Sequence, residues 1–107
     1  MIGQVVTVIV DRPLGSRHPK YEDIYYSMNY GYINGIIAAD GEEQDAYILG
    51  IDYPVNTFTG TVIAIIHRLN DIEDKWVVAP PNTTFSKEEI IKLTYFQEQY
   101  FDIEVSM

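Results

Sequence analysis

The feature that most constrains the fold is a series of short, β-branched apolar runs separated by turn-forming residues. The run Val5–Val10 is almost entirely apolar and β-branched, which is typical of a strand buried on both faces or of a barrel stave. Thr61–Leu69 is a longer apolar run, and the acidic turn Asn70–Asp74 separates it from Lys75–Ala79. This arrangement predicts a β-hairpin near the middle of the chain.

Three more segments predict strands of lower regularity. Tyr25–Ile37 is rich in Tyr and Ile but is interrupted by glycines, which indicates an irregular approach followed by a strand. The turn Asp40-Gly41 separates it from a second strand at Ala46–Leu49. Ile103–Val105 is a candidate for a short terminal strand.

One segment has the pattern of a helix. Ser86 is an N-cap candidate, and Glu89 completes a capping box three residues later. Ile90, Leu93 and Phe96 recur at helical spacing, so a helix from about Lys87 to Gln99 is expected, with these apolar side chains on its buried face. Several short strands followed by one helix predict a single domain over residues 1–107, mainly β: a small closed or half-closed barrel with a helix packed against it.

Composition narrows the classes of function. The 16 acids and 7 bases give a formal charge of −9, which disfavours nucleic-acid binding. The excess acid fits either a solvated acidic surface or a carboxylate cluster neutralised by metal. No long apolar run indicates a membrane span, and no signal peptide is visible. The absence of cysteine excludes thiolate chemistry and fits a cytoplasmic protein.

Two groups of acids are candidates for a metal site. Asp40, Glu42 and Asp45 surround one turn, and a second acidic turn precedes Lys75; its members are Asp71, Glu73 and Asp74. Carboxylate oxygens are the ligands that hard divalent cations prefer. Each turn alone is more often a solvated hairpin end. A barrel can bring both turns to one rim, and so many carboxylates in one place would require bound cations.

The candidate anion-binding side chains are the bases that crowd into one loop. This loop contains two prolines and a glycine, and its basic side chains are Arg12, Arg17, His18 and Lys20. Arg68 and Lys75 are further candidates outside it. Exposed, solubilising bases are the simpler interpretation of the loop. His67 lies within an apolar strand and is expected to be structural.

Several motifs together resemble those of the soluble inorganic pyrophosphatases. They are Asn29-Tyr-Gly-Tyr-Ile33 followed by Asp40-Gly-Glu-Glu-Gln-Asp45, Asp11-Arg-Pro13 leading to Lys20-Tyr21, Asp71-Ile-Glu-Asp-Lys75-Trp-Val-Val-Ala-Pro80, and Phe96-Gln-Glu-Gln-Tyr-Phe101. The resemblance extends over most of the chain. It implies a small OB-like, five-stranded β-barrel with one C-terminal helix.

The resemblance also implies a reaction and a set of site residues. The reaction is Mg²⁺-dependent hydrolysis of pyrophosphate, or of a related phosphoanhydride, by a metal-activated water, with Mn²⁺ as an alternative cation. Glu42, Tyr30 and Lys75 would be catalytic. Lys20, Tyr30, Lys75, Tyr100 and Arg17 would bind substrate. Asp40, Glu42, Asp45, Asp71, Glu73 and Asp11 would lie at the metal site or its edge.

The chain departs from the family pattern in ways that leave a second function open. Glu42 stands where the family has Asp, and Phe101 stands where the family has a phosphate-binding Lys. The hairpin that carries a phosphate-binding Arg in the family has no counterpart between Lys20-Tyr21 and Asn29. The alternative is therefore a catalytically degenerate homologue that binds metal or a phosphorylated ligand in a regulatory role. A homo-oligomer is an open alternative to a monomer.

Overall fold

The protein is mainly β, with one helix near the C-terminus. A computed structural model describes residues 1–107. The elements are β1 (Val5–Arg12), β2 (Asn29–Ile37), β3 (Glu43–Ile48), β4 (Thr57–Arg68), β5 (Asp74–Ala79), α1 (Lys87–Glu98) and β6 (Ile103–Ser106). The predicted strands and the terminal strand are thus present. β4 begins earlier than predicted, because the β-branched and aromatic side chains of Thr57–Thr59 suit a strand and pair with β1.

Five strands close into a barrel. Their order is β1-β2-β3-β5-β4, and β4 pairs back onto β1. β4 is long enough to pair with three strands. Its first residues pair with β1, its end pairs with β6, and β5 is its third partner. The prediction of a small five-stranded barrel is confirmed.

The barrel strands bury both faces, as the apolar runs predicted. One apolar cluster takes side chains from all five barrel strands, among them Val8, Ile48 and Val78, and fills the interior. A second cluster lies on the outer face of β2–β5, where the loop before β2 and α1 cover it; Tyr26, Tyr47 and Ile90 are members. Side chains on β3 alternate between the two clusters because successive residues of a strand point to opposite faces.

One strand pair is parallel, and its register positions the site. β3 and β5 pair with Ala46 opposite Trp76 and Tyr47 opposite Val77. Asp45 and Lys75, each one residue earlier, therefore lie side by side at the same end of the barrel. All other pairs are antiparallel.

The helix begins as predicted but presents a different face to the barrel. The Ser86 hydroxyl accepts a hydrogen bond from the Glu89 amide, and the Glu89 carboxylate accepts one from the Ser86 amide, which completes the capping box. The predicted buried position of Leu93 is wrong, because its side chain is 40% exposed. The buried side chains are Ile90, Thr94, Gln97 and Glu98. The polar residues at the end of this face contact the barrel, so the spacing of apolar residues alone could not identify the buried face of the helix.

β1 and β2 approach each other unusually closely at Gly31. This residue pairs with Val10, beside an irregularity in β1. A Cβ at Gly31 would lie 1.9 Å from the carbonyl oxygen of Ile9, far inside contact distance. Only glycine fits between the two flanking tyrosines at this point.

None of the helical segments is long and apolar enough to span a bilayer.

Candidate active site

The candidate site is a cavity of about 710 Å³ at one end of the barrel, and we call it the barrel-end cavity. Its walls come from β1, the loop before β2, the facing ends of β3, β4 and β5, and the end of α1. The lining residues are Asp11, Arg12, His18, Tyr21, Asp23, Ile24, Tyr30, Asp45, Arg68, Glu73, Lys75, Gln97, Tyr100 and Phe101.

Lys75 is a buried cation shared by two carboxylates. Its Nζ lies 2.6 Å from Asp45 Oδ2 and 3.0 Å from Glu73 Oε2, and the residue is 3% exposed. Burial alone would lower the pKa of the Lys75 ammonium, but Tyr30 and Asp45 outweigh it and raise that pKa. Lys75 is therefore positively charged at neutral pH. Asp45 and Glu73 take two of the three donors of the ammonium, and Tyr30 contributes a further side-chain hydrogen bond to Lys75.

Arg68 is a second buried cation, fixed on three sides. Its guanidinium makes a bidentate pair with Glu98, with both N–O distances 2.8 Å. A third donor lies 3.1 Å from Glu73 Oε2, and the group stacks on the Phe101 ring at 3.7 Å. Bidentate pairing and stacking together restrict a guanidinium more than a single ion pair does. Glu73 thus lies between Arg68 and Lys75.

A chain of hydrogen bonds runs from the Arg68–Glu98 ion pair to Arg12, which also lines the cavity. Tyr47 donates to Glu98 at 2.6 Å and accepts from the Gln97 amide at 2.7 Å. The Gln97 carbonyl accepts from Tyr26 at 2.5 Å, and Tyr26 accepts from Arg12 at 2.7 Å. Burial raises the pKa of Tyr47, as does the Glu98 charge, so the phenol stays a donor. The chain ties α1 to the barrel and holds the guanidinium of Arg68 in place.

Two cavity carboxylates have no ion pair. Asp11 and Asp23 line the cavity, and neither lies within ion-pair distance of a base. Burial raises the pKa of the Asp11 carboxyl, although Arg12 opposes this. Asp11 is thus a cavity carboxylate that has no ion pair and a raised pKa. A partly desolvated carboxylate of this kind suits the binding or deprotonation of water.

His18 is held as a neutral donor at the cavity wall. Its Nδ1 accepts hydrogen bonds from the backbone amides of Lys20 and Tyr21 at 3.0 and 3.2 Å. The proton is therefore on Nε2. Burial lowers the pKa of the imidazole, and the nearby charges of Arg12 and Lys20 lower it further.

Six of the site residues that the family resemblance implied line the cavity, in addition to the candidate anion-binding side chains Arg12, His18 and Arg68. The six are Asp11, Tyr30, Asp45, Glu73, Lys75 and Tyr100. Tyr30 is 5% exposed, and the Lys75 ammonium lies 5.7 Å from the centre of its ring. Tyr100 is 59% exposed at the rim.

The other indicated residues lie outside the cavity lining. Asp40 and Glu42 occupy the exposed turn between β2 and β3, where Asp40 Oδ1 accepts from the Glu42 amide at 3.0 Å. Asp71 lies in the turn after β4, and its Oδ1 accepts from the adjacent Ile72 amide.

The basic loop also turns part of its charge away from the cavity. The Arg17 guanidinium donates to the Glu22 carbonyl and lies over the Tyr25 ring. Lys20 is exposed and does not line the cavity. Of the loop bases, Arg12 and His18 contribute to the lining.

Sequence reasoning missed the partners that fix Arg68. Gln97 and Glu98 appeared only as members of the motif Phe96–Phe101 and were given no role, and Tyr26 and Tyr47 were not singled out, although all four belong to the hydrogen-bond chain. The available signal was a Gln-Glu pair on a helix whose preceding turn is apolar. It becomes informative only once the buried face of α1 is known.

The acids present do not form a divalent-metal site as arranged. No group of three or more His, Cys, Asp or Glu side chains converges in a geometry that could hold a metal ion. The donors explain this. Asp45 and Glu73 are already paired with Lys75, Asp71 binds a backbone amide with one oxygen and lies 3.9 Å from an Arg68 nitrogen with the other, and Asp40 binds a backbone amide in a separate turn. A protein-held divalent cation needs several free oxygens directed at one point.

The chain is similar in sequence to curated bacterial inorganic pyrophosphatases. It is 33% identical to the inorganic pyrophosphatase of Salmonella typhimurium over 100 residues, which covers 76% of this chain and 55% of that protein. Identity to the enzyme of Vibrio parahaemolyticus is 31% over the same coverage. The chain thus spans about half the length of the curated relatives it matches. No protein-family model matches it.

The fold is shared with solved inorganic pyrophosphatases. The structure from Ehrlichia chaffeensis superposes with a TM-score of 0.75 at 16% identity, covering 99% of this chain and 87% of that one. The structure from Neisseria gonorrhoeae gives a TM-score of 0.68 at 19% identity, covering 92% and 74%. The family likeness expected from the motifs is confirmed.

Proposed function

We propose that this chain, which is similar in sequence and fold to inorganic pyrophosphatases, binds and hydrolyses pyrophosphate or a related phosphoanhydride in the barrel-end cavity. The observation that carries the proposal is the assembly of Tyr30, Lys75 and Tyr100 in one cavity of this fold. Lys75 is a buried ammonium at the cavity wall, and such a group is well suited to stabilise charge on a leaving phosphate.

The charge balance of the cavity favours a particular form of the ligand. Its lining contains four acids and three bases: Asp11, Asp23, Asp45 and Glu73 against Arg12, Arg68 and Lys75. A bare, multiply charged pyrophosphate would gain little from such a lining. Pyrophosphate complexed with Mg²⁺ carries less charge, so we propose that the divalent cation enters as part of the substrate.

The residues of the chain then have distinct tasks. Lys75 and Arg12, which both line the cavity, would bind phosphate oxygens, and Tyr100 would contact the ligand at the rim. Asp11 would orient the attacking water, since it is a cavity carboxylate without an ion pair and its pKa is raised by burial. Attack breaks the P–O–P bridge and yields two phosphates, with the proton of the water taken by a ligand oxygen or by Asp11.

A phosphate-release assay with Mg²⁺-pyrophosphate tests this function. We expect turnover by the wild type and a loss of at least about 100-fold in Asp11→Asn and Lys75→Met, in line with the usual effect of removing one acid–base or charge-stabilising group. Lys92→Met is the matched control, because Lys92 is exposed on α1. Wild-type release no faster than that of Lys75→Met would refute hydrolysis.

Glu42→Gln separates the structural assignment from the motif-based one. Glu42 lies in the exposed β2–β3 turn, so its substitution is expected to change the rate less than Asp11→Asn does. A loss larger than that of Asp11→Asn would return the role of water activation to Glu42.

The second candidate function is ligand binding without turnover. It is favoured by the pairing of both Asp45 and Glu73 with the chain's own cations, and by the apolar Phe101 at the cavity wall. Calorimetry with Mg²⁺-pyrophosphate would then give saturable heat while the release assay stays at background. Saturable heat together with steady release would instead favour the enzyme.

A further inference from the structure

Five charged side chains at the barrel-end cavity and directly behind it form one alternating row of acids and bases. Asp45, Lys75, Glu73, Arg68 and Glu98 follow each other with nitrogen–oxygen distances of 2.6, 3.0, 3.1 and 2.8 Å. Every acid in the row is in contact with a cation of the chain itself. Lys75 and Arg68 are buried, whereas the Asp45 and Glu73 side chains are 34% and 31% exposed.

We infer that Lys75 and Arg68 act as built-in counter-cations, so that the ligand-free protein keeps Asp45 and Glu73 neutralised without holding a divalent metal ion. This inference concerns the protein without ligand and does not depend on whether it turns over a phosphoanhydride. It assigns Lys75 a task beyond ligand binding: exclusion of a metal ion from the protein's own carboxylates.

The physical argument is one of competition for the same oxygens. A cation bound by Asp45 and Glu73 would lie where the Lys75 ammonium now lies, between Asp45 Oδ2 and Glu73 Oε2. Two positive charges at that point would repel each other strongly in a partly desolvated site. Displacing Lys75 would leave a buried ammonium without a partner, which is costly. A metal ion must overcome both the repulsion by Lys75 and the cost of displacing it.

Arg68 cannot take over the role of Lys75 in this row, because it does not contact Asp45. Glu73 accepts from both cations, so removal of Lys75 still leaves it one partner, whereas Asp45 loses its only one. Lys75→Met should therefore release Asp45 fully and Glu73 in part. That variant exposes two neighbouring carboxylates to solvent, which is a suitable start for a weak hydrated-cation site.

Mn²⁺ binding, measured from the electron paramagnetic resonance signal of free Mn²⁺ at constant ionic strength, tests the inference. We expect the ligand-free wild type to leave the free Mn²⁺ signal unchanged up to millimolar concentration. Lys75→Met is expected to acquire a saturable site, and Lys92→Met, which removes an exposed lysine, is expected to behave as the wild type.

Two results would overturn the inference. One is saturable Mn²⁺ uptake by the ligand-free wild type, since its acids would then be available despite Lys75. The other is a folded Lys75→Met that binds no Mn²⁺, since Lys75 would then not be what excludes the cation. The Mn²⁺ measurement on the wild type shows whether its acids bind a cation even where Lys75→Met fails to fold. Thermal unfolding of the wild type in Mg²⁺ and in EDTA is an independent measurement, because a ligand of the native state must raise the unfolding temperature.

Discussion

Replacing Glu98 with glutamine should be among the most destabilising changes available on α1. Both oxygens of Glu98 bind the Arg68 guanidinium, one of them also accepts from Tyr47, and the side chains of Glu98 and Arg68 are 1% and 6% exposed. Removing one partner of a buried ion pair costs about 3–5 kcal/mol, because the other charge stays buried. Glu73 still contacts Arg68 in this variant and balances part of its charge, although the Glu73 side chain is 31% exposed. We therefore expect a loss of stability near the lower end of that range, about 3 kcal/mol.

A double-mutant cycle separates the pair from its surroundings. Arg68→Met with Glu98→Gln removes both charges, so no unpaired charge remains between them. The double variant should therefore lose only the hydrogen bonds, about 1–3 kcal/mol, and be no less stable than Glu98→Gln alone. The measurement is urea unfolding at neutral pH, with the midpoint and the denaturant dependence fitted for each variant. Glu104→Gln is the matched control, since Glu104 is exposed on β6.

The cycle has a clear refuting result. If the losses of the two single variants add to that of the double within about 0.5 kcal/mol, Arg68 and Glu98 do not stabilise each other and the row of charges is not cooperative. A loss in Glu98→Gln equal to that in Glu104→Gln would contradict the reasoning just as directly.

Three further predictions concern the fold. Gly31→Ala should prevent folding or cost more than about 3 kcal/mol of stability, because its Cβ would overlap the Ile9 carbonyl. Gly35→Ala should cost only about 1–2 kcal/mol, because Gly35 has φ near +88° but open space around it. Urea unfolding of both variants measures the two losses, and equal losses would contradict the prediction. Ser86→Ala should cost about 1 kcal/mol through loss of the capping box, measured as a lower unfolding temperature, and an unchanged temperature would show that the cap contributes nothing. Burial raises the pKa of Tyr26, Tyr30 and Tyr47 above the ordinary value of 10.0, so the folded state binds their protons more tightly than the unfolded state. Their contribution to stability is complete below that pH and is lost as the pH rises above it, so tyrosinate absorbance from these three should appear together with loss of circular dichroism. Full tyrosine ionisation in a still-folded protein would argue against it.

The strands could be predicted because each one buries an apolar run that ends at a turn signal. Val5–Val10 and Lys75–Ala79 needed no knowledge of their neighbours, and the capping box at Ser86 is a purely local pattern. Leu93 was misassigned because the buried face of α1 is determined by the surface it packs against. That surface presents polar groups from the barrel strands (Tyr47 and Arg68) and from the loop before β2 (Tyr26).

The sequence predicted the positions of site residues only where strand pairing fixes the place of a motif residue. Asp45 and Lys75 meet because β3 and β5 are parallel, and both were identified from the motifs. Asp40, Glu42 and Asp71 stand at similar motif positions, but they lie in turns whose direction depends on how each hairpin bends. Spacing along the chain does not determine that direction. The position of Arg68 inside the cavity depends on Glu98, a residue thirty positions further along the chain.

Closure of the barrel by β1 and β4 has a consequence for how the chain folds. The two strands come from opposite halves of the chain, so this last seam requires a large loop to close before it contributes any stability. The β4–β5 hairpin is local and can form first, which leaves β1 and the start of β4 as two complementary unpaired edges in any partly folded chain. Two such chains can complete each other's barrels. We therefore expect refolding at high protein concentration to yield strand-exchanged dimers that dilute refolding avoids, and size-exclusion chromatography of refolded samples would detect them.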